Sequence, residues 1–142
     1  MAFILRSCLI AAALSFSNLI FGQPPGGQIP KGNTAGIKNK ILDVPYAKKS
    51  EAQKLDIYLP EVGDGPFPVI VQIHGGAFRM GDKADAQVNP SLNGLAHGYA
   101  VVSINYRLSG EAIFPAQIQD VKAAIRFLRA NANKLNPDKT AT

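Results

Sequence analysis

Residues 69–82 hold the pattern with the most chemical content. The apolar run Val69-Ile70-Val71-Gln72-Ile73 leads directly into His74-Gly75-Gly76-Ala77-Phe78 and then Arg79-Met80-Gly81-Asp82. Two successive glycines let the backbone turn sharply and leave no Cβ in the way, so peptide N–H groups can point unhindered into a site. Donors held in that way stabilise negative charge as it develops, as when a carbonyl oxygen becomes an oxyanion in acyl transfer. One well-placed donor contributes roughly 3 to 4 kcal/mol to such a transition state. A loop leaving the carboxyl end of a central strand is also where open α/β sheets meet their ligands.

Other chemistry is thinly represented. His74 and His97 are the only histidines, too isolated for a metal site, and no glycine-rich phosphate-binding loop is present. No cofactor is therefore expected. The 15 basic and 10 acidic residues, net +5, are scattered, with no run of five like charges and no aromatic residues interleaved among basic ones. That distribution argues against a nucleic-acid groove and against an electrostatic membrane patch. A hydrophobic content of 46% with 18% charged residues excludes a disordered chain.

The elements that must position the glycine loop follow from the hydrophobic pattern. Residues 1–22 carry one basic residue, Arg6, then the apolar run 8–21 and the small Gly22, which is the layout of a secretory signal peptide. The run is shorter than the roughly 20 residues of a bilayer span and is interrupted by Ser15, Ser17 and Asn18. A secreted or periplasmic protein with no stable membrane insertion is the expectation. Cys8, the only cysteine, lies in this segment, so no disulfide can staple the remainder, which must rely on its hydrophobic core. Residues 23–39 begin with a stretch rich in Pro, Gly, Gln, Asn and Thr and are expected to form a flexible leader. Residues 40–142 are then the folded part.

Ile41-Leu42-Asp43-Val44-Pro45-Tyr46 and Leu55-Asp56-Ile57-Tyr58-Leu59 alternate like half-buried strands. In the second, Leu55, Ile57 and Leu59 share one face, and Asp56 and Tyr58 the other. The short loop 47–53 predicts an antiparallel pair at a sheet edge. Residues 67–73 and 99–104 are nearly continuous apolar, β-branched runs, the mark of strands covered on both faces in the middle of a parallel sheet. Between them, Asn89 predicts a helix cap with Pro90 at the first position, Leu92, Leu95 and Ala96 facing inward, and Gly98 as the stop. Pro115 opens a stronger helix with Ile118, Val121, Ile125, Leu128 and Ala132 on its inner face and Lys122, Arg126 and Arg129 opposite. Asn136-Pro137 stops it, and residues 139–142 resemble the start of another strand. The fold class is α/β: the N-terminal half of a doubly wound, mostly parallel sheet with antiparallel edge strands.

From about Ile41 to Thr142 these motifs, in this order, resemble the α/β-hydrolases of esterase and lipase type that carry a His-Gly-Gly-Gly-type oxyanion loop. That family includes lipases, carboxylesterases, acetyl-xylan and feruloyl esterases and hormone-sensitive-lipase relatives. The resemblance is carried by residues 55–60, the loop His74-Gly75-Gly76-Ala77-Phe78, residues 98–108, and Phe114-Pro115-Ala116 leading to Asp120. It implies that the N–H groups of Gly76 and Ala77 are two oxyanion donors and that Gly75 permits the turn. It also implies that His74 fixes loop geometry by hydrogen bonding, because the base of this family comes late in the chain, after the serine and the acid. Ala77 departs from the family's third glycine, and its methyl narrows the room for a bulky acyl or alcohol group.

Asn105-Tyr106-Arg107-Leu108 is similar to the family's Asp-Tyr-Arg-Leu segment with Asn in first place, so any ion pair made by that acid is missing. Tyr106, Arg107 and Asp120 are implied to be scaffold residues that hold the loop after the strand against the helix. The activity implied is that of a cofactor-free serine hydrolase cleaving a small-molecule or polysaccharide-linked carboxylic ester through an acyl-enzyme. No Gly-x-Ser-x-Gly pentapeptide occurs, and Ser50, Ser91, Ser103 and Ser109 lack that setting. The chain therefore reads as the N-terminal part of such a domain, inactive alone, with nucleophile, acid and base outside it. A prolyl-oligopeptidase-type serine peptidase shares the sheet and is an alternative. So is a noncatalytic binding or scaffold protein on the same fold.

Overall fold

The computed structural model describes residues 29–133. The segment 1–22 expected to be a signal peptide, the helix stop expected at Asn136-Pro137 and the strand start expected at 139–142 lie outside the described residues. Four strands, β1 (Lys40–Pro45), β2 (Lys54–Tyr58), β3 (Val69–Ile73) and β4 (Ala100–Ile104), form one sheet in the order β1-β2-β4-β3. β2 is antiparallel to both β1 and β4, whereas β3 and β4 are parallel and in step from Val69↔Ala100 to Ile73↔Ile104. The carboxyl ends of β3 and β4 are thus level, and the loops that follow them leave the sheet side by side.

Each face of the sheet has its own apolar cluster, because successive side chains of a strand point to opposite sides. Leu55, Ile57, Ala100, Val102 and Ile104 pack with Ala124 of helix α2 (Ala116–Asn131). Tyr58 and Val101 pack on the other face with Val88, Ile70, Leu92, Leu95 and Ile37. Helical segments on both faces of a mixed sheet make this an α/β fold.

Several sequence expectations shift once the chain is folded. β2 alternates as read, but it is not half-buried at an edge. It lies between β1 and β4, and Asp56 and Tyr58 are as buried as Leu55 and Ile57. β4 lies inside the sheet, whereas β3 is an edge strand among the described residues, with Val69 48% and Ile73 45% exposed. Asn89 is not a cap. It lies within the helical region at φ −53°, ψ −45°, and its side chain instead accepts a hydrogen bond from the Asn33 amide. The segment divides into a 3-10 turn (Ala86–Val88), a short helix α1 (Asn89–Leu92) and a second 3-10 turn (Asn93–His97). Leu92 and Leu95 pack inward, Ala96 and His97 are exposed, and Gly98 ends the run at φ 78°.

In α2 the buried positions are Ala116, Gln117, Asp120 and Ala124, with Phe127 and Leu128 packed against the core. The inner face is therefore rotated from the expected stripe, and Ile118 is exposed. The reason is polar: Asp120 and Gln117 are drawn inward by partners described below. The flexible leader expected over 23–39 is not free where the structure describes it. The Ala86 amide donates to Pro30 O (2.7 Å), the Gly32 amide donates to Ala84 O (2.8 Å), and Ile37 packs into the second cluster.

Candidate active site

β3 ends at Ile73, and the chain passes through three successive residues of positive φ: Gly76 at 118°, Ala77 at 52° and Phe78 at 61°. At Gly76 a Cβ would run into the Met80 carbonyl, so only glycine fits. The carbonyls of His74, Gly76 and Phe78 in this loop are engaged. The Tyr106 hydroxyl donates to His74 O (3.0 Å), Arg79 and Met80 amides donate to Gly76 O (2.9 and 3.2 Å), and the Ser109 amide donates to Phe78 O (2.7 Å). The Gly75 amide donates to Gln87 Oε1 (2.8 Å). By contrast, the amides of Gly76, Ala77 and Phe78 have no protein acceptor among the described residues. The loop thus combines occupied acceptors with a row of free donors, a surface suited to negative charge.

His74 is 4% exposed. Its ring stacks on Tyr106 at 4.4 Å between centroids, and Nδ1 lies 2.9 Å from Gly75 O. A carbonyl oxygen only accepts, so this contact requires the proton on Nδ1. Nε2 is buried and has no partner among the described residues. Tyr106, whose hydroxyl burial pushes above the usual phenol range, also meets Phe78 edge-on at 6.1 Å. The histidine thus sits under the loop, clamped between its backbone and Tyr106.

The loop after β4 is tied to the same place. Asn105 Nδ2 donates to Asp82 Oδ2 (2.9 Å), and the Lys83 amide donates to Asn105 Oδ1 (2.6 Å). Arg107 makes a two-pronged pair with Asp120, its Nε and Nη2 each 2.8 Å from a carboxylate oxygen, and its amide also donates to Asp120. Gln53 Nε2 adds a fourth bond to Asp120 (2.7 Å), and Gln117 Nε2 donates to Arg107 O and Ala112 O. Burial works against the Asp120 carboxylate, but these donors hold its pKa below the ordinary value.

Sequence reasoning missed Gln87 and the buried group around Lys83. Lys83 Nζ lies 2.9 Å from both Asp56 and Asp43. Burial opposes its charge, yet the two carboxylates raise its pKa. A bulge in β1 supplies the second acid: the register slips between Ile41 and Val44, and Asp43, at φ 58°, donates its amide to Asp56 Oδ1 (2.8 Å). The only local sign of this was an aspartate on each of two apolar strands. Among the described residues no group of His, Cys, Asp or Glu is placed to hold a metal ion.

Residues 55–142 match the model of the BD-FAE family. The chain is 36% identical over 99 residues to "Probable carboxylic ester hydrolase LipM" of Mycobacterium tuberculosis, covering 68% of this chain and 23% of that protein. It is 31% identical to the same organism's esterase LipQ, covering 90% of this chain and 34% of that one. The chain therefore spans about a quarter to a third of the length of these curated relatives. Among solved structures, a truncated form of carbohydrate esterase from gut microbiota superposes with a TM-score of 0.66 at 44% identity, covering 75% of this chain and 38% of that one. A bifunctional GH43-CE protein of Bacteroides eggerthii gives 0.58 at 49% identity, covering 69% and 13%.

Proposed function

The chain belongs to the BD-FAE family of α/β-hydrolases, with esterases among its relatives, and from that premise we propose that the whole protein is an exported serine hydrolase of carboxylic esters. The Gly76 and Ala77 amides are two donors to the oxyanion, with His74 and Gly75 setting the loop that carries them. The observation that carries this reading is the pair of unpaired amides at the carboxyl end of a parallel strand, on a loop whose neighbouring carbonyls are occupied. When a nucleophile attacks an ester carbonyl, its oxygen gains a full charge, and pre-aimed N–H groups stabilise that state more than the neutral ester. The serine, its acid and its base belong to the rest of the protein, and the reaction needs no cofactor. A polysaccharide-linked ester is favoured over a small-molecule one by the carbohydrate-esterase neighbour.

The test is hydrolysis of p-nitrophenyl acetate by the full-length protein. Ala77→Pro removes a donor N–H and forces φ toward about −65°, against 52° here. It should lower kcat by about 100- to 1,000-fold. Ala77→Gly keeps the amide and suits the positive φ, so it should retain activity. Wild-type rates in Ala77→Pro would overturn the assignment, and faster cleavage of an aminoacyl-peptide substrate than of any ester would favour a peptidase.

A further inference from the structure

The hydrogen bond from the Gly75 amide to Gln87 Oε1 (2.8 Å) pins the backbone immediately before the first free donor. Gln87 is exposed and sits on the 3-10 turn Ala86–Val88, three residues with too few internal bonds to hold themselves in place. Besides the segment that leads into it, whose Lys83 carbonyl accepts from Ser103 Oγ (2.8 Å), two things fix that turn. Val88 is 1% exposed, buried with Tyr58 and Val101. The other is the segment of residues 30–33, which lies along 84–89 like a short strand. Lys31 pairs with Asp85 as an antiparallel bridge, the Ala86 and Gly32 amides bond across it, and the Asn33 amide donates to Asn89 Oδ1 (2.7 Å). The approach is close, since a Cβ on Gly32 would lie 2.7 Å from Val88 Cγ1.

We propose that residues 30–33 form a strap that positions the oxyanion loop, with Gln87 as the positioning residue that transmits it. The inference rests on the reading of Gly76 and Ala77 as donors. Gly75 and Gly76 have no side chains with which to anchor themselves, so the direction of the donors depends on what holds the Gly75 backbone: His74 Nδ1 at its carbonyl and Gln87 at its amide. With the strap in place, Gln87 presents its oxygen to the Gly75 amide and withdraws that amide from the row of free donors. With the strap displaced, the turn loses the bond from the Ala86 amide to Pro30 O and keeps Val88 and the bonded segment Asp82–Asp85 before it, and Gln87 no longer holds one position. Because Gln87 is exposed, its loss acts on the geometry of the loop and not on the stability of the core.

The experiment uses the full-length protein and follows p-nitrophenyl acetate hydrolysis, the affinity of a boronic acid that forms a tetrahedral adduct with the nucleophile, and the melting temperature. Gln87→Met keeps side-chain length without an acceptor, Gln87→Glu keeps the acceptor, and Gly32→Val forces the strap away from Val88. Gln87→Met and Gly32→Val should each lower kcat roughly 10- to 100-fold, the scale of a small misplacement of catalytic groups. KM should stay at the wild-type value in both and the melting temperature in Gln87→Met, whereas Gly32→Val, which breaks the strap's own backbone bonds beside buried Val88, should also lower the melting temperature; boronate affinity should fall in parallel with kcat in both. The double variant should be no worse than the stronger single one, because both act through one hydrogen bond. Gln87→Glu should retain more activity than Gln87→Met. An active wild type with unchanged kcat in Gln87→Met would overturn the proposal, as would a loss in that variant confined to KM or one that tracks a fall in its melting temperature. A full-length wild type inactive on every ester would instead overturn the esterase reading on which the strap depends.

Discussion

Asn105 makes a donor bond that a carboxylate in its place could not. Its Nδ2 donates to Asp82 Oδ2 at 2.9 Å while its Oδ1 accepts from the Lys83 amide. Burial works against the Asp82 charge, yet the Asn105 amide and the Ala84 N–H hold its pKa below the ordinary value. Asn105→Asp would keep the acceptor, lose the donor and bring two carboxylates into contact. The expected cost to the full-length protein is about 1 to 3 kcal/mol at neutral pH. Like charges raise the folded pKa of one acid above its unfolded value. The penalty is therefore complete above that folded value and shrinks as pH falls and a proton is taken up. Urea unfolding of wild type and variant at neutral and mildly acid pH checks this, and an equal penalty at both would refute it. The two glycines at 75 and 76 were legible in the sequence because their meaning is local: a turn after an apolar strand. Asn105 was legible only as a lost ion pair, since its gain depends on Asp82, 23 residues away in the chain. Gln87 carried no sequence signal, because its role exists only once β3 and the 3-10 turn are side by side.

The elements show the same division between local pattern and tertiary choice. Strand positions, the parallel pairing of β3 with β4 and the existence of α2 follow from runs of apolar residues and from Pro115 and Gly98. The orientation of α2 does not. Its apolar residues at spacings of three and four define a stripe, but the fold turns Asp120 and Gln117 inward because Arg107, Gln53 and two backbone groups are there to receive them. For the same reason β2 buries Asp56, which periodicity alone would leave in water, because Lys83 reaches it. The Asp120 anchor gives a pH-dependent prediction. Its folded pKa is depressed, so its contribution is fully present above the unfolded carboxylate value of about 3.9 and is lost as pH falls through the lower folded value. Asp120→Asn leaves Arg107 without its counter-ion, and the cost should be about 3 kcal/mol near neutrality, toward the lower end for a broken buried pair because Arg107 keeps some access to water. The difference from wild type should narrow below about pH 4. Guanidinium unfolding across that range measures it, and a pH-independent difference would show that the pair is not the source.

At the scale of the whole molecule, burial is lopsided. The interior strands β2 and β4 are sealed, whereas β3 pairs only with β4 among the described residues and leaves the polar backbone of its outer side without a ladder. The apolar side chains of Val69 and Ile73 on that strand, Phe78 and Met80 on the glycine loop, and Ile113 and Phe114 on the loop after β4 are exposed together with it. Apolar strand edges are templates for pairing with other chains, and exposed large apolar side chains add to the tendency to associate. Among the described residues both features face solvent, and a polypeptide of residues 23–142 made alone is expected to present them. It should therefore self-associate, with light scattering that grows with concentration and no sharp melting transition. Lys substitutions at Val69 and Ile73, which place charge on the open edge, should reduce the scattering without disturbing the β2–β4 core. A monomeric residue 23–142 polypeptide that melts cooperatively would refute the prediction and mean that the β3 edge is protected by contacts within those residues.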